Sequence, residues 1–442
     1  MPAHSVTLSR RLSTTSAALF GLSYICPVVI VSTFGVIATK SRGATALAYL
    51  IATIAMVLTA ASYGRMAARY QEAGSAYTYV SRSANPVAGL FVGWILMLDY
   101  FFIPMVICLI TAQACEALLP SISHRAWLPI IAAFATGVNL LGIKIADRVN
   151  LAIMAAQLLG MAALGIVCVL FLKHGPMPSS HEVGSFSLPA VLGGAAVACY
   201  SFLGFDAVAT LAEETHDPAR SIPRATVLAA GAAGLIFIVI AYLMGEVHPA
   251  LDFSDVDNAG FEVLRQAAGP AFNVIFGVIL IVSNLAAAMC AQAGSSRLLY
   301  VMGRSGVLPR RFFGYLHPRY RTPSYGIAAM GALMLAGYFF DIETATTCVN
   351  FGAFTAFVAV NLCVLGDHFG ARRQLGGGVG KLIVAGLGAA ASAALLVNLG
   401  HMALTVGMSW LAIGFMYIVY LTGVFRKPLP VMDSAQVPEK GF

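Results

Sequence analysis

The sequence predicts an all-α membrane protein of twelve transmembrane helices, in which an inverted 5+5 repeat with broken helices 1 and 6 is followed by two extra C-terminal helices. Three observations carry that expectation. Of the 442 residues, 59% are hydrophobic and only 10% charged, and the mean hydropathy is +0.84, which leaves too little polar surface for a water-soluble chain of this size. About twelve apolar stretches approach the roughly 20 residues needed to cross some 30 Å of hydrocarbon. Two of those stretches are interrupted by helix-breaking or polar residues at equivalent places in the two halves. A break at membrane depth is tolerated only where the freed backbone groups face protein or a water-filled cavity, so paired breaks point to a mid-membrane binding site.

The stretches run over 14–39, 45–66, 86–118, 127–145, 149–172, 188–212, 224–246, 269–300, 325–340, 343–366, 380–399 and 402–424. The first follows Arg10 and Arg11 but is too long for a signal-peptide core and shows no small-residue cleavage site, so it is expected to be retained. Its break lies at Gly21-Leu22-Ser23-Tyr24-Ile25-Cys26-Pro27, continuing to Ser32-Thr33-Phe34-Gly35, and the matching break in the sixth stretch is Tyr200-Ser201-Phe202-Leu203-Gly204-Phe205-Asp206. The whole of 1–442 reads as one membrane domain: 1–13 a cytoplasmic N-terminus, 14–172 the first repeat, 188–366 the second, 380–424 helices 11 and 12, and 425–442 a cytoplasmic tail. With the N-terminus inside, only Lys40, Arg42, Arg125, Lys173 and Arg265 of the 26 basic residues fall outside. That asymmetry predicts a multi-pass membrane protein with both termini on the cytoplasmic side. The segment Ser296 to Pro309 is basic and amphipathic and is expected along the inner interface, whereas the outer segment 247–268 is acidic.

The same composition excludes several classes. The formal charge of +7 is spread over inner loops rather than clustered on a solvated domain, so no nucleic-acid partner is expected. The eight cysteines form no CxxC pair and suggest neither a disulfide framework nor a metal site. No GxSxG, HExxH or Walker-type loop occurs, so neither an enzyme, a cofactor nor ATP is implied.

The residues that could carry chemistry are polar groups at membrane depth. Asp99 sits inside the third stretch, where an aspartate costs about 2.5–3.5 kcal/mol to insert, so it should face a partner or a cavity; it either binds substrate or proton or ties neighbouring helices. Asp206 follows Gly204 directly after the second break. Its readings are ammonium recognition, proton carriage, or capping of the amides freed there. Tyr200, Phe202, Phe205, Tyr100 and Phe101 are available as cation–π walls or as plain packing. Cys26, Pro27, Ser32 and the carbonyls around them could line a cation site, because half-helix C-terminal ends attract positive charge. Ser201 and Gly204 belong to the second break, and Asn284 and Asn350 either line the pathway or join helices. Glu213 and Glu214, beside Arg220 and Arg224 near the inner end of the sixth stretch, are candidates for coupling or gating ion pairs, or for structural ones.

Several blocks also carry a resemblance. Ser201 to Val208 followed by Glu213-Glu214-Thr215 and Ile222-Pro223-Arg224-Ala225, together with Glu72 to Tyr79, Leu98 to Met105, Phe313 to Pro318 and Asn350-Phe351-Gly352-Ala353, resemble the amino acid-polyamine-organocation transporters, most of all their bacterial putrescine importers. The resemblance implies the twelve-helix fold, alternating access, and import of putrescine or a related polyamine coupled to an ion gradient, usually protons, with sodium as the other candidate. Two departures keep an amino acid open as substrate. Ser32 stands where the putrescine importers compared carry an aspartate, and residues 149–172 lack the lysine that some relatives place in the fifth span.

Overall fold

In a computed structural model, residues 12–119, 121–174, 187–256, 258–340, 342–369, 379–397, 399 and 401–422 are described. The tail 425–442 and most of 1–13 lie outside them. The elements are helices throughout: α1 Thr14–Ile25, α2 Val29–Lys40, α3 Thr45–Arg69, α4 Ser75–Ser83, α5 Pro86–Leu118, α6 His124–Leu140, α7 Ile143–His174, α8 Leu188–Tyr200, a 3₁₀ helix Phe205–Leu211, α9 Pro218–Val247, α10 Ala259–Arg304, α11 Arg310–Phe313, α12 Ser324–Met334 with a 3₁₀ turn Leu335–Tyr338, α13 Ile342–Phe369, α14 Val379–Val397 and α15 His401–Leu421.

Local chemistry sets many of these boundaries. Ser13 caps α1 by accepting from the Ser16 amide at 3.1 Å, and Asn85 caps α5 by accepting from the Ala88 amide at 2.7 Å, with Pro86 behind it at a position that needs no N–H. α6 and α7 are joined by little more than Gly142, whose φ of 102° lies in the left-handed region where glycine is least strained. The fifth helix therefore begins at Ile143, inside the stretch 127–145 assigned from sequence to the fourth.

Nine helices among the described residues are long and apolar enough to cross a membrane, and the bent pair α1 and α2 makes a tenth. The expected twelve are met only in part. α6 has 17 residues, about 26 Å at 1.5 Å per residue, and the apolar segment Ser324–Tyr338 is shorter still. α10 is divided where the eighth stretch was expected to begin: Gly269, at φ 80° and ψ 177°, followed by Pro270, separates an outer helix from a long crossing segment. The crossing segment runs on through Gly303, and residues 296–303 are buried in the bundle instead of lying along an interface. They are buried because α1, α11 and the 3₁₀ helix pack around them.

α5 is central, with 78% of its most apolar window buried, whereas α14 and α15 bury 22% of theirs and lie at the periphery. Large apolar side chains project outward from the bundle, among them Leu159, Leu170, Leu235, Ile275, Leu387 and Met416. Such a girdle is the surface a helical bundle presents to hydrocarbon. Inside it, α3 packs along α9, α5 along α13, and α1 against the 3₁₀ helix, so the elements that carry both breaks meet beside the central helix.

Candidate functional site

The first break is short. Cys26 is left-handed at φ 56°, Pro27 brings no N–H, and α1 and α2 meet at 51°. The backbone is re-paired locally: the Val29 amide donates to the Cys26 carbonyl at 2.8 Å and the Val31 amide to the Val28 carbonyl at 3.1 Å. Around it sit neutral groups from two other helices. The Cys26 thiol donates to Asn284 Oδ1 at 3.2 Å, and Gln157 Nε2 reaches Cys26 Sγ at 3.7 Å. Gln157 is fully buried, and its Oε1 has no partner among the described residues. Ser32 is only partly buried on α2.

The second break is long. From Ser201 onward the backbone bonds are of the i to i+3 kind, Ser201 to Ala198 at 3.0 Å and Leu203 to Tyr200 at 3.1 Å, and they resume beyond the turn with Ala207 to Gly204 at 3.1 Å. Gly204 turns the chain at φ 113°, and a Cβ there would come within 2.7 Å of the Tyr24 ring. Here a missing side chain is what lets the two broken helices touch. The tighter 3₁₀ winding continues to Leu211; runs beyond 3–4 residues are uncommon and often mark a hinge.

Asp206 emerges from this 3₁₀ segment and is 2% exposed. Its Oδ2 accepts a hydrogen bond from the Tyr100 hydroxyl at 3.0 Å, and its carboxylate lies against the amides of Gly204, Asp206 and Ala207. The geometry therefore accommodates the capping role alongside the recognition role. Asp99, 3% exposed, is close enough to Asp206 to feel the charge of its carboxylate, and its Oδ1 has no partner among the described residues. The close approach of α13 at Gly352 explains the position: a Cβ there would fall 2.6 Å from the Asp99 amide nitrogen. Buried carboxylate oxygens without partners cost free energy that a bound cation or proton would recover.

Aromatic rings close this region. Tyr63 packs edge-on against Phe205 at 5.8 Å, Tyr79 at 6.0 Å and Phe357 at 5.9 Å between ring centroids. The Tyr63 and Tyr79 hydroxyls have no partners among the described residues, and both lie within electrostatic reach of Asp206. Phe205 thus belongs to the wall. Phe202 instead packs on Phe237 of α9 at 5.1 Å; three residues apart in a regular 3₁₀ helix it would share a face with Phe205, but the left-handed Gly204 between them redirects the chain. Phe101 is partly buried beside Tyr100, and Tyr200 faces Thr346 of α13. Ser201 hydrogen-bonds the Tyr49 hydroxyl at 3.3 Å, which also meets Thr33 at 2.8 Å, linking the second break to α2. Asn284 serves the first break, whereas the Asn350 Oδ1 is left without a partner among the described residues.

Toward the end of the bundle that carries the basic segments, Glu213 and Glu214 take partners the sequence did not suggest. Arg304 forks onto Glu213 at 2.9 and 2.7 Å, and the Ala73 amide donates to the same carboxylate at 3.2 Å. Arg297 pairs with Glu214, both nearly fully buried. Arg220 turns to Asp217 at 3.8 Å instead. The N-terminal residue Leu12 adds a backbone clasp, donating to the Glu214 carbonyl and accepting from the His216 amide, each at 2.9 Å. Tyr24, Tyr63, Tyr79, Gln157, Arg297 and Arg304 were not assigned to a site from sequence; the visible signals were the polar Gln157 inside the stretch 149–172 and the charged Arg297 inside 269–300.

The amino acid permease family profile matches residues 18–366. The chain is 38% identical over 439 residues to the low-affinity putrescine importer PlaP of Escherichia coli strain K12, covering 97% of each. It is 24% identical over 445 residues to the branched-chain amino acid permease BcaP of Bacillus subtilis, covering 94% of this chain and 93% of that one. With the cationic amino acid transporter 4 of Arabidopsis thaliana, described as vacuolar, it shares 27% over 387 residues, 81% of this chain and 63% of that one. These relatives are an importer, a permease and a transporter, and none is an enzyme. The chain belongs to the amino acid permease family, within the amino acid-polyamine-organocation superfamily.

Proposed function

We propose that the protein is a secondary active transporter importing a small organic cation, putrescine or a related polyamine, across a bacterial inner membrane by proton-coupled alternating access. In this reading α6 and the segment Ser324–Tyr338 complete twelve spans, 14–172 and 188–366 are inverted repeats, and both termini are cytoplasmic. One observation carries the substrate class: two buried carboxylates from different helices, Asp206 and Asp99, share a region walled by tyrosines where the two broken helices touch. A diamine carries two separated ammonium groups on an apolar tether, and carboxylates with aromatic walls between them match both features. Similarity along 97% of the chain to a protein named a putrescine importer supports the same choice. Glu213, Glu214, Arg304 and Arg297 form the gate on the cytoplasmic side.

An amino-acid permease is the second reading, favoured by Ser32 where an acid would serve a diamine and by the likeness to a branched-chain amino acid permease. Uptake by the purified protein in proteoliposomes separates the two. An imposed proton gradient is expected to drive accumulation of labelled putrescine, and unlabelled putrescine should compete better than neutral or basic amino acids. Competition by amino acids alone rejects the polyamine, and accumulation driven by sodium alone rejects the proton.

A further inference from the structure

A separate cavity lies at the basic end of the bundle, walled by Ser16 and Phe20 of α1, Asn150 of α7, Arg297 of α10, and Arg321 and Thr322 from the loop before α12. Its electrostatics are opposite to those of the carboxylate region: among the described residues Glu214 is the one acid on its wall, against two guanidinium groups. Arg297 spends its Nε on Glu214 and stacks over the Phe20 ring at 5.5 Å. Its side chain is only 5% exposed, and yet Nη1 has no hydrogen-bond partner among the described residues. A charged donor left unpaired in a buried site is costly, and more so than a neutral one. Arg321 contributes the second guanidinium at the rim. Asn150, whose Oδ1 already accepts from the Cys290 thiol at 3.3 Å, retains its N–H₂ as a further donor, and Ser16 and Thr322 add hydroxyls.

The geometry points to a binding site for a small oxyanion, a carboxylate or phosphate group held between Arg297 and Arg321. The planar forks of the two guanidiniums suit the paired oxygens of such a group, and no ammonium ligand would satisfy the free Nη1. Because α1 supplies one wall and α10 with the 321–322 loop the others, an occupant would bridge the first half-helix to the rest of the bundle. It would thereby hold α1 shut against the cavity and oppose opening on that side. The ligand chemistry is shared by free anions and by the headgroups of anionic lipids.

The full-length protein in phosphatidylcholine nanodiscs provides the test, read as the thermal-unfolding midpoint during titration with inorganic phosphate or acetate against chloride at constant ionic strength. The expected result is a saturable rise in the midpoint with phosphate or acetate that chloride does not reproduce. The variant Arg321→Gln should weaken that binding about tenfold, the loss of about 1.4 kcal/mol. Phosphate also stabilises proteins by exclusion from their surfaces, but that effect would be the same in wild type and variant. The paired variant Arg297→Gln with Glu214→Gln removes both buried charges together, avoids leaving one uncompensated, and should abolish the saturable rise. A rise only when phosphatidylglycerol is included assigns the site to a lipid headgroup, provided Arg321→Gln diminishes it. No saturable rise in either membrane, or an equal rise in Arg321→Gln, overturns the site. The readout uses no transported substrate, so it stands or falls apart from the polyamine assignment.

Discussion

The two breaks solve one backbone problem in contrasting ways. The first is a corner: a left-handed Cys26, a proline, and an immediate return to α-helix at 51°. Its neighbours are the neutral side chains of Asn284 and Gln157. The second is a long rewinding, in which Ser201 to Leu211 keeps i to i+3 bonds and never regains the α period within the span. At about 2.0 Å rise per residue instead of 1.5 Å, the seven residues of the 3₁₀ helix cover about 14 Å where an α-helix would cover about 10 Å. Charge is confined to the second break, where Asp206 meets Tyr100. Under the proposed function, the contrast would give recognition of positive charge to the second break and leave the first as a neutral corner.

The largest effect is expected where that charge resides. Asp206→Asn keeps the shape and removes the charge, and loss of one partner of a buried charged contact costs about 2–5 kcal/mol. Putrescine uptake should fall at least about 30-fold while the protein is still made and inserted at normal levels. Undiminished uptake in proteoliposomes would discard the second break as the recognition element. Gly204→Ala comes next and acts through folding. A left-handed alanine costs about 1–2 kcal/mol, and its Cβ would press within 2.7 Å of Tyr24, adding about 1–2 kcal/mol of overpacking. A drop of about 2–4 kcal/mol in stability, read as reduced yield and a lower unfolding midpoint, is the expected outcome. A variant as stable as wild type would show that the two breaks do not depend on each other's close approach.

Both breaks were legible in the sequence because Pro27 and Gly204 interrupt runs that otherwise satisfy every amide within the helix. The winding of the chain beyond each break was not legible. An α-helix and a 3₁₀ helix built from Phe205-Asp206-Ala207-Val208-Ala209-Thr210-Leu211 have the same composition, and the choice between them depends on packing against neighbours distant in sequence, chiefly α1 and α9. The ion pairs of the basic end were equally hidden. Arg297 and Arg304 are 83 and 91 residues away from their partners, so local sequence offered Arg220 and Arg224 in their place. By contrast, the Gly269-Pro270 pair that divides α10 is a local signal, and it marks the start assigned to the eighth stretch.

Tyr100→Phe tests how much of the second break's charge is held by a side chain rather than by the backbone. Deleting the hydroxyl removes a hydrogen bond to a charged group, worth about 1.5 kcal/mol or somewhat more. The amides of Gly204, Asp206 and Ala207 remain beside the carboxylate, so the effect should stay near the lower end. An increase of about tenfold in the KM for putrescine is expected, with kcat little changed, in the same vesicle assay. A loss as large as that of Asp206→Asn would mean that Tyr100 acts on the reacting charge itself and not through the position of Asp206.

The smallest effect belongs to the first break. A thiol is a weak donor, and Cys26→Ala removes its 3.2 Å contact with Asn284 while keeping a small apolar group at the same left-handed position. Neither charge nor the Pro27 corner is altered, so less than about 1 kcal/mol is at stake, and putrescine KM should move less than about threefold. Gln157 would lose its Sγ contact at 3.7 Å without any change in the formal charge near the break. A shift of tenfold or more would contradict the assignment of a neutral corner. It would place substrate or coupling ion against the Cys26 corner, so that the division of labour between the two breaks would have to be redrawn with both as recognition elements.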